Sequence, residues 1–118
     1  MAADWTPVRV EEAIHKCSQR IADGVLKADK AYRLFQEADR AYDLAYAHAY
    51  LDADGPAHEK KYLAELHTAA ARKHRDAADA AYRLMDRNMK AIQSELDALR
   101  SIGTSVRQAY AVAGRGEA

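Results

Sequence analysis

At 118 residues the chain fits one domain, large enough to bury a core without disulfide or metal staples. Eighteen Lys and Arg balance eighteen Asp and Glu, so no overall field draws the chain to a polyanion or to a membrane surface. The lone Cys17 excludes an internal disulfide framework. No apolar run approaches the roughly 18 residues of a membrane span, and no charged-then-apolar leader is evident, so the expectation is a soluble, unexported, cytoplasmic protein. The halves differ in sign: residues 1–54 carry seven basic and ten acidic side chains, net −3, and the remainder eleven and eight, net +3.

Taken in chain order, residues 1–6 read as irregular, with Thr6 placed as an N-cap and Pro7 suited to a first helical turn. From residue 7 to 53 no further proline intervenes, and apolar side chains recur at steps of three and four: Val10, Ile14, Cys17, Ile21, Val25, Ala28, Tyr32, Phe35, Tyr42, Ala45 and Ala49. That period predicts one long amphipathic helix, with Gly24 as the point where it can kink. Asp54-Gly55-Pro56 predicts a reversal, because Gly ends a helix in the left-handed region and Pro is preorganised to start the next. A second helix is expected over 57–112, its buried stripe comprising Leu63, Leu66, Ala70, Ala77, Ala81, Leu84, Met85, Ile92, Leu96, Leu99, Ile102, Val106 and Tyr110. Gly103 is a second place for a bend, and residues 113–118 read as a frayed tail.

The sequence spells ADKAYRL from Ala28, ADRAYDL from Ala38 and ADAAYRL from Ala78. Reversal at Gly55 sets residues whose numbers add to about 110 level with each other, so the first and third copies, and with them Tyr32 and Tyr82, come close to facing. Asp29 to Arg33 and Asp79 to Arg83 are i, i+4 pairs in the favourable order, worth about 0.2–0.5 kcal/mol each. The first two copies lie ten residues apart, which turns them roughly 80° from one another around a helix. The repeat is therefore read as packing rather than ligand binding. The expected fold is all-α: a long antiparallel helical hairpin that associates into a multi-helix bundle. Two helices leave much flank uncovered, and Phe35, Tyr42, Met85, Met89 and Ile92 are the side chains expected to meet another copy, in a dimer or a higher assembly.

Candidate chemistry is sparse. Glu12-x-x-His15 is half of a carboxylate-bridged two-metal pattern, but its second half is missing, and His67 and His74 stand about 10 Å apart along a helix, too far to share an ion. Cys17 lies on the apolar stripe with no partnered base. No phosphate-cradling glycine loop or nucleophile elbow occurs. The expectation is a non-enzyme with no metal and no cofactor. Three binding readings stay open. Lys60, Lys61, Arg72, Arg83, Arg87 and Lys90, with Lys73 and Arg75 nearby, can track phosphates, although Asp76, Asp79 and Asp86 interrupt them and make a solvated, salt-bridged face the alternative. Tyr42, Tyr46 and Tyr50 step along one face and can either stack nucleobases or fill space between helices. Arg100, Ser101, Thr104 and Arg107 can hold an anion such as a nucleotide phosphate, or permit close helix crossing at a subunit interface through their small neighbours.

The charged helix start DGPAHEKKYLAEL, the Ala-rich ARKHRDAADAAYRL and above all LDALRSIGTSVRQAY resemble small all-helical proteins encoded by tailed phages and prophages of high-GC Gram-positive bacteria. The resemblance covers roughly residues 54–110, with a looser match before them. It implies a phage origin, a place in the host cytoplasm and a gene among early functions for replication, recombination or host takeover. No residue role transfers with it. Two non-enzymatic classes follow: an accessory of phage DNA replication or recombination that contacts single-stranded DNA or a phage or host protein, and an anti-defence protein that captures a host immune factor or a signalling nucleotide between subunits.

Overall fold

The computed structural model describes residues 4–116, with side chains through residue 114. Residues 1–3, 117 and 118 of the expected irregular start and tail lie outside them. Three helices, α1 (Pro7–Asp52), α2 (Ala57–His67) and α3 (Ala69–Gly116), account for nearly all of the described chain, and it is all-α.

Each helix end has a local cause. Thr6 caps α1, its Oγ1 accepting the Arg9 amide hydrogen at 3.2 Å, and Pro7 fills the first helical position, where no amide donor is needed. The helix runs through Gly24 without a break. It stops at Asp52, and Gly55 turns the chain with φ of 107°, the single positive φ among the described residues. Pro56, extended at φ −70° and ψ 156°, stands just before α2 rather than inside it.

The span 57–112, expected as one helix, is divided at Thr68. This side chain is buried, and both its amide (3.1 Å) and its Oγ1 (2.7 Å) donate to the Ala64 carbonyl. A hydroxyl competing for the i−4 carbonyl perturbs the helix locally, and here it shifts Thr68 to φ −108° and ψ 10°. The Arg72 amide still donates to the Thr68 carbonyl at 2.9 Å, so the break is confined to one residue. Beyond it, α3 is helical past residue 112 to Gly116, including stretches expected to fray.

Burial follows a strict heptad rhythm. From Val10 to Ala49 the positions reached by alternating steps of four and three are all buried or half-buried, with Gly24, Ala31 and Ala38 among them. The same alternation runs from Thr68 through Ala71, Arg75, Ala78 and Tyr82 to Gly103 and Val106. A 3.5-residue period is that of a coiled-coil seam rather than of a free-standing helix. It departs from the expected stripes in several places: Leu63, Leu66, Ala70, Ala77, Ala81 and Leu84 are exposed, with Ala64, Thr68, Ala71, Ala78 and Tyr82 at the inner positions, and Val25, Tyr32 and Tyr110 are exposed as well.

The chain forms two compact units, one from the stretches up to Val25 and from Arg87 onward, the other from Leu26 to Asp86. In the first, Cys17, Leu96 and Leu99 make a buried cluster against which Trp5, Ile14, Ile21 and Ile92 pack. Val10 is fully buried, and its methyls lie 3.7 Å from where a Cβ on Gly103 would stand. Arg20 and Glu95 form an exposed ion pair at 2.9 Å. Gly24 is a point of close approach: a Cβ there would collide with the Met89 sulfur, so that side chain would have to shift. Gly103 is different: a methyl would meet only ordinary van der Waals contacts, from Val10 and from Arg107 at 3.5 Å. Gly103→Ala therefore gains helix propensity without a clash and is expected to raise stability by about 0.5–1 kcal/mol. An unchanged or lower urea midpoint would contradict that.

In the second unit, Tyr32 and Tyr82 meet with ring centroids 4.9 Å apart, as the reversal predicts, and Phe35 stacks on Tyr82 at 6.4 Å. Arg75 reaches Asp39 at 3.7 Å and lies over the Tyr42 ring at 4.5 Å. The Tyr32–Tyr82 and Asp39–Arg75 pairs both have numbers adding to 114. The expected i, i+4 pairs are formed, Asp29–Arg33 and Asp79–Arg83 both at 3.0 Å.

Candidate binding surfaces

The seam of the second unit has two unlike sides. One side is filled by rings and cations. Tyr42, Tyr46 and Tyr50 form a ladder with centroids 6.2 and 6.4 Å apart, closed at one end by the Arg75 guanidinium over Tyr42 and at the other by the Lys60 ammonium 5.0 Å from Tyr50. Cations over ring faces are attracted by the ring quadrupole. These ring faces are thus occupied by one another and by Arg75 and Lys60, which favours the space-filling reading of the tyrosines over nucleobase stacking.

The other side is open. Ala31, Leu34, Ala38 and Ala41 of α1 and His74, Ala77, Ala78 and Ala81 of α3 line a groove of about 480 Å³, with Glu37 at its margin. Alanine leaves a shallow floor that neither helix fills. A second, more polar hollow of about 560 Å³ lies near the corner, lined by Ala49, Asp52, Ala53, Asp54, Leu63 and His67.

The cationic set is split between the units. Lys60, Lys61, Arg72 and Arg83 belong to the second, and Arg87 and Lys90 to the first. Arg83 is held by Asp79 at 3.0 Å, and Arg75 donates to Asp76 at 3.2 Å, so carboxylates interleave with this face as the salt-bridged reading expects. Lys61, Arg72 and Arg87 are exposed.

At Arg100–Arg107 the hydroxyls are already engaged within α3. Ser101 Oγ donates to the Asp97 carbonyl and Thr104 Oγ1 to the Arg100 carbonyl, both at 3.2 Å. Arg100 leans toward Asp97 at 4.0 Å. This arrangement spends its small donors on the backbone rather than aiming them at one point. Gly103 instead packs against Val10 of the same chain.

Among the described residues no three His, Cys, Asp or Glu side chains gather closely enough to hold a metal ion, and His15, His67 and His74 are exposed. Cys17 is buried, its thiol donating to the Ile92 carbonyl at 3.5 Å. No described helix is long and apolar enough to cross a membrane.

The five side chains expected to meet another copy are half-buried within the chain. Phe35 stacks on Tyr82, Tyr42 lies under Arg75, Met89 covers Gly24 and Ile92 packs on the Cys17 cluster, while Met85 occupies a half-buried position of the same heptad run. They are used within the chain because a 3.5-residue period points them into the seam. Exposed instead are Leu34, Leu44 and Leu51 on α1, Leu63 and Leu66 on α2 and Leu84 on α3. Their signal was present in the sequence as a second apolar stripe, but hydrophobicity alone does not say which of two stripes faces inward. Comparison of the chain with protein-family models, with curated proteins and with solved structures returns no match.

Proposed function

We propose that this chain is a non-enzymatic helical assembly protein of a tailed phage or prophage, acting in the host cytoplasm as an accessory to phage DNA replication or recombination. In this reading α1 folds back on α2 and α3 as a long antiparallel hairpin, and copies associate into a multi-helix bundle. The observation that carries it is the row of exposed leucines flanking an alanine-floored groove on a chain otherwise rich in charge. Contiguous apolar surface of this kind, rimmed by polar residues, marks a site of protein association. The antiparallel contacts of Tyr32 with Tyr82 and of Asp39 with Arg75 support the hairpin, and exposed Lys61 and Arg72 supply phosphate-binding charge.

Light scattering at micromolar concentration is expected to find an assembled species. Anisotropy with a single-stranded oligonucleotide is expected to find binding that weakens steeply with salt. The double variant Lys61→Glu, Arg72→Glu should weaken that binding by at least about tenfold and lower the salt slope by about 2. A monomer that ignores DNA would overturn the reading. No DNA binding together with a large thermal shift from a signalling nucleotide would replace it with the anti-defence alternative, centred on Arg100, Ser101, Thr104 and Arg107.

A further inference from the structure

We propose that the open side of the Leu26–Asp86 unit is the seat of a second copy of this chain, docked about a two-fold axis that runs parallel to the helices. This rests on the self-association reading above and adds the face, the symmetry and the residue pairs.

The first ground is periodicity. Beside its inward seam, α1 carries a second row with the same heptad step: Leu34, Glu37, Ala41, Leu44, His48 and Leu51, all exposed. The facing row on α2 and α3 runs Leu63, His67, Ala70, His74, Ala77, Ala81, Leu84 with the same alternation. A helix with two such rows has two neighbours to satisfy. The Leu34–Ala41 part of one row and the His74–Ala81 part of the other line the same groove. The pattern is local. Continuing α1 backward at this step meets Lys30, Lys27 and Asp23, and continuing α3 forward meets Asn88, Ala91 and Glu95, so the apolar character is confined to this unit.

The second ground is area. Leu34, Leu44, Leu51 and Leu84 are 50%, 62%, 75% and 56% exposed, and Leu63 is 38% exposed. With the exposed alanines this face offers on the order of 600 Å² of apolar surface per copy, hence about 1,200 Å² from two, the lower bound for a stable interface.

The third ground is self-complementarity. The row on α1 is built of leucines and the row on α3 mainly of alanines. Since level residues of α1 and α3 have numbers adding to 114, a two-fold axis along the helices places α1 of one copy against α3 of the other at the same level. Leu34 then meets the shallow floor at Ala77 and Ala81, Leu44 meets Ala70, and Leu51 meets Leu63. Every helix gains an antiparallel neighbour, as in up-and-down four-helix bundles. An isologous contact demands that one patch match itself, and large against small side chains does so.

The test is the mass of the intact chain by light scattering, with helix content by circular dichroism. Leu34→Glu with Leu84→Glu places charge on an exposed face, so helix content should hold while the apparent Kd for assembly rises by at least about 100-fold. His74→Leu should tighten assembly by removing a polar group from the row. In a Cys17→Ser background, Leu44→Cys mixed with Ala70→Cys should oxidise to a crosslink between unlike copies in preference to either like pair. Unlike pairing, dissociation of the glutamate variant and tightening by His74→Leu support the proposal. An assembled wild type whose mass is unmoved by folded Leu34→Glu, Leu84→Glu overturns this face but leaves self-association standing. If that variant loses its helix content, an absent unlike crosslink or a neutral His74→Leu overturns it equally. A wild type that stays monomeric at 100 µM on the order of the highest concentration tested overturns both.

Discussion

Replacing Leu96 by Ala is expected to lower the free energy of unfolding by about 2–5 kcal/mol, the range for a buried leucine whose neighbours cannot collapse into the void. Leu96 is 5% exposed and joins Cys17 and Leu99 at the centre of the first unit's core. That core is thin. Val10 and Cys17 are the largest fully buried side chains among the described residues, so few other side chains can move into the space. The surrounding Ile14, Ile21 and Ile92 sit on helices whose seam positions are set by the heptad step, which limits relaxation further. Urea denaturation followed by helix signal, at one fixed protein concentration so that assembly does not enter the comparison, measures the change. A loss below about 1 kcal/mol would mean that the cluster does not hold the unit together. Leu44→Ala is the natural control, since that leucine is 62% exposed and should cost far less in the unassembled chain.

Gly55→Val is the second large effect, expected to cost about 1–3 kcal/mol. The cause is backbone conformation rather than packing. Gly55 turns the chain at φ of 107°, where a Cβ meets its own backbone and a β-branched side chain fares worst. A Cβ would also stand 3.0 Å from a Glu59 carboxylate oxygen, but that flexible side chain can swing away, so the strain and not the contact decides the outcome. Asn, which tolerates positive φ better, should recover part of the loss. The thermal midpoints should therefore fall in the order Gly, Asn, Val. Equal midpoints for Gly and Val would show that the corner does not depend on this conformation.

Some features were legible because their physics is local. Thr6 and Pro7 announce the start of α1, and Gly55 and Pro56 announce the corner, since capping and φ preference act within a few residues. The i, i+4 pairs Asp29–Arg33 and Asp79–Arg83 are equally local. The first unit's inner stripe of Ile14, Cys17, Ile92, Leu96 and Leu99 could be read correctly because there the largest apolar side chains and the heptad step coincide. In the second unit they diverge. Leucines at 63, 66 and 84 outrank Ala64, Ala71 and Ala78 on hydrophobicity and lie outside all the same. Thr68 was passed over as well, because a lone threonine in a helical pattern signals a break only when burial turns its hydroxyl onto the Ala64 carbonyl.

By itself, then, the sequence determined that the chain is helical, where α1 begins, where the corner falls and that apolar stripes recur at helical spacing, since propensity, capping and periodicity are properties of neighbouring residues. Tertiary structure alone decided which stripe became the seam. Phe35 stacks on Tyr82, Tyr32 meets the same ring at a tilt and Arg75 lies across Tyr42, and these contacts join residues far apart in the chain, so no local pattern contains them. Committing those rings to one side of the alanine seam is what leaves the groove on the other side open, with its leucines facing outward.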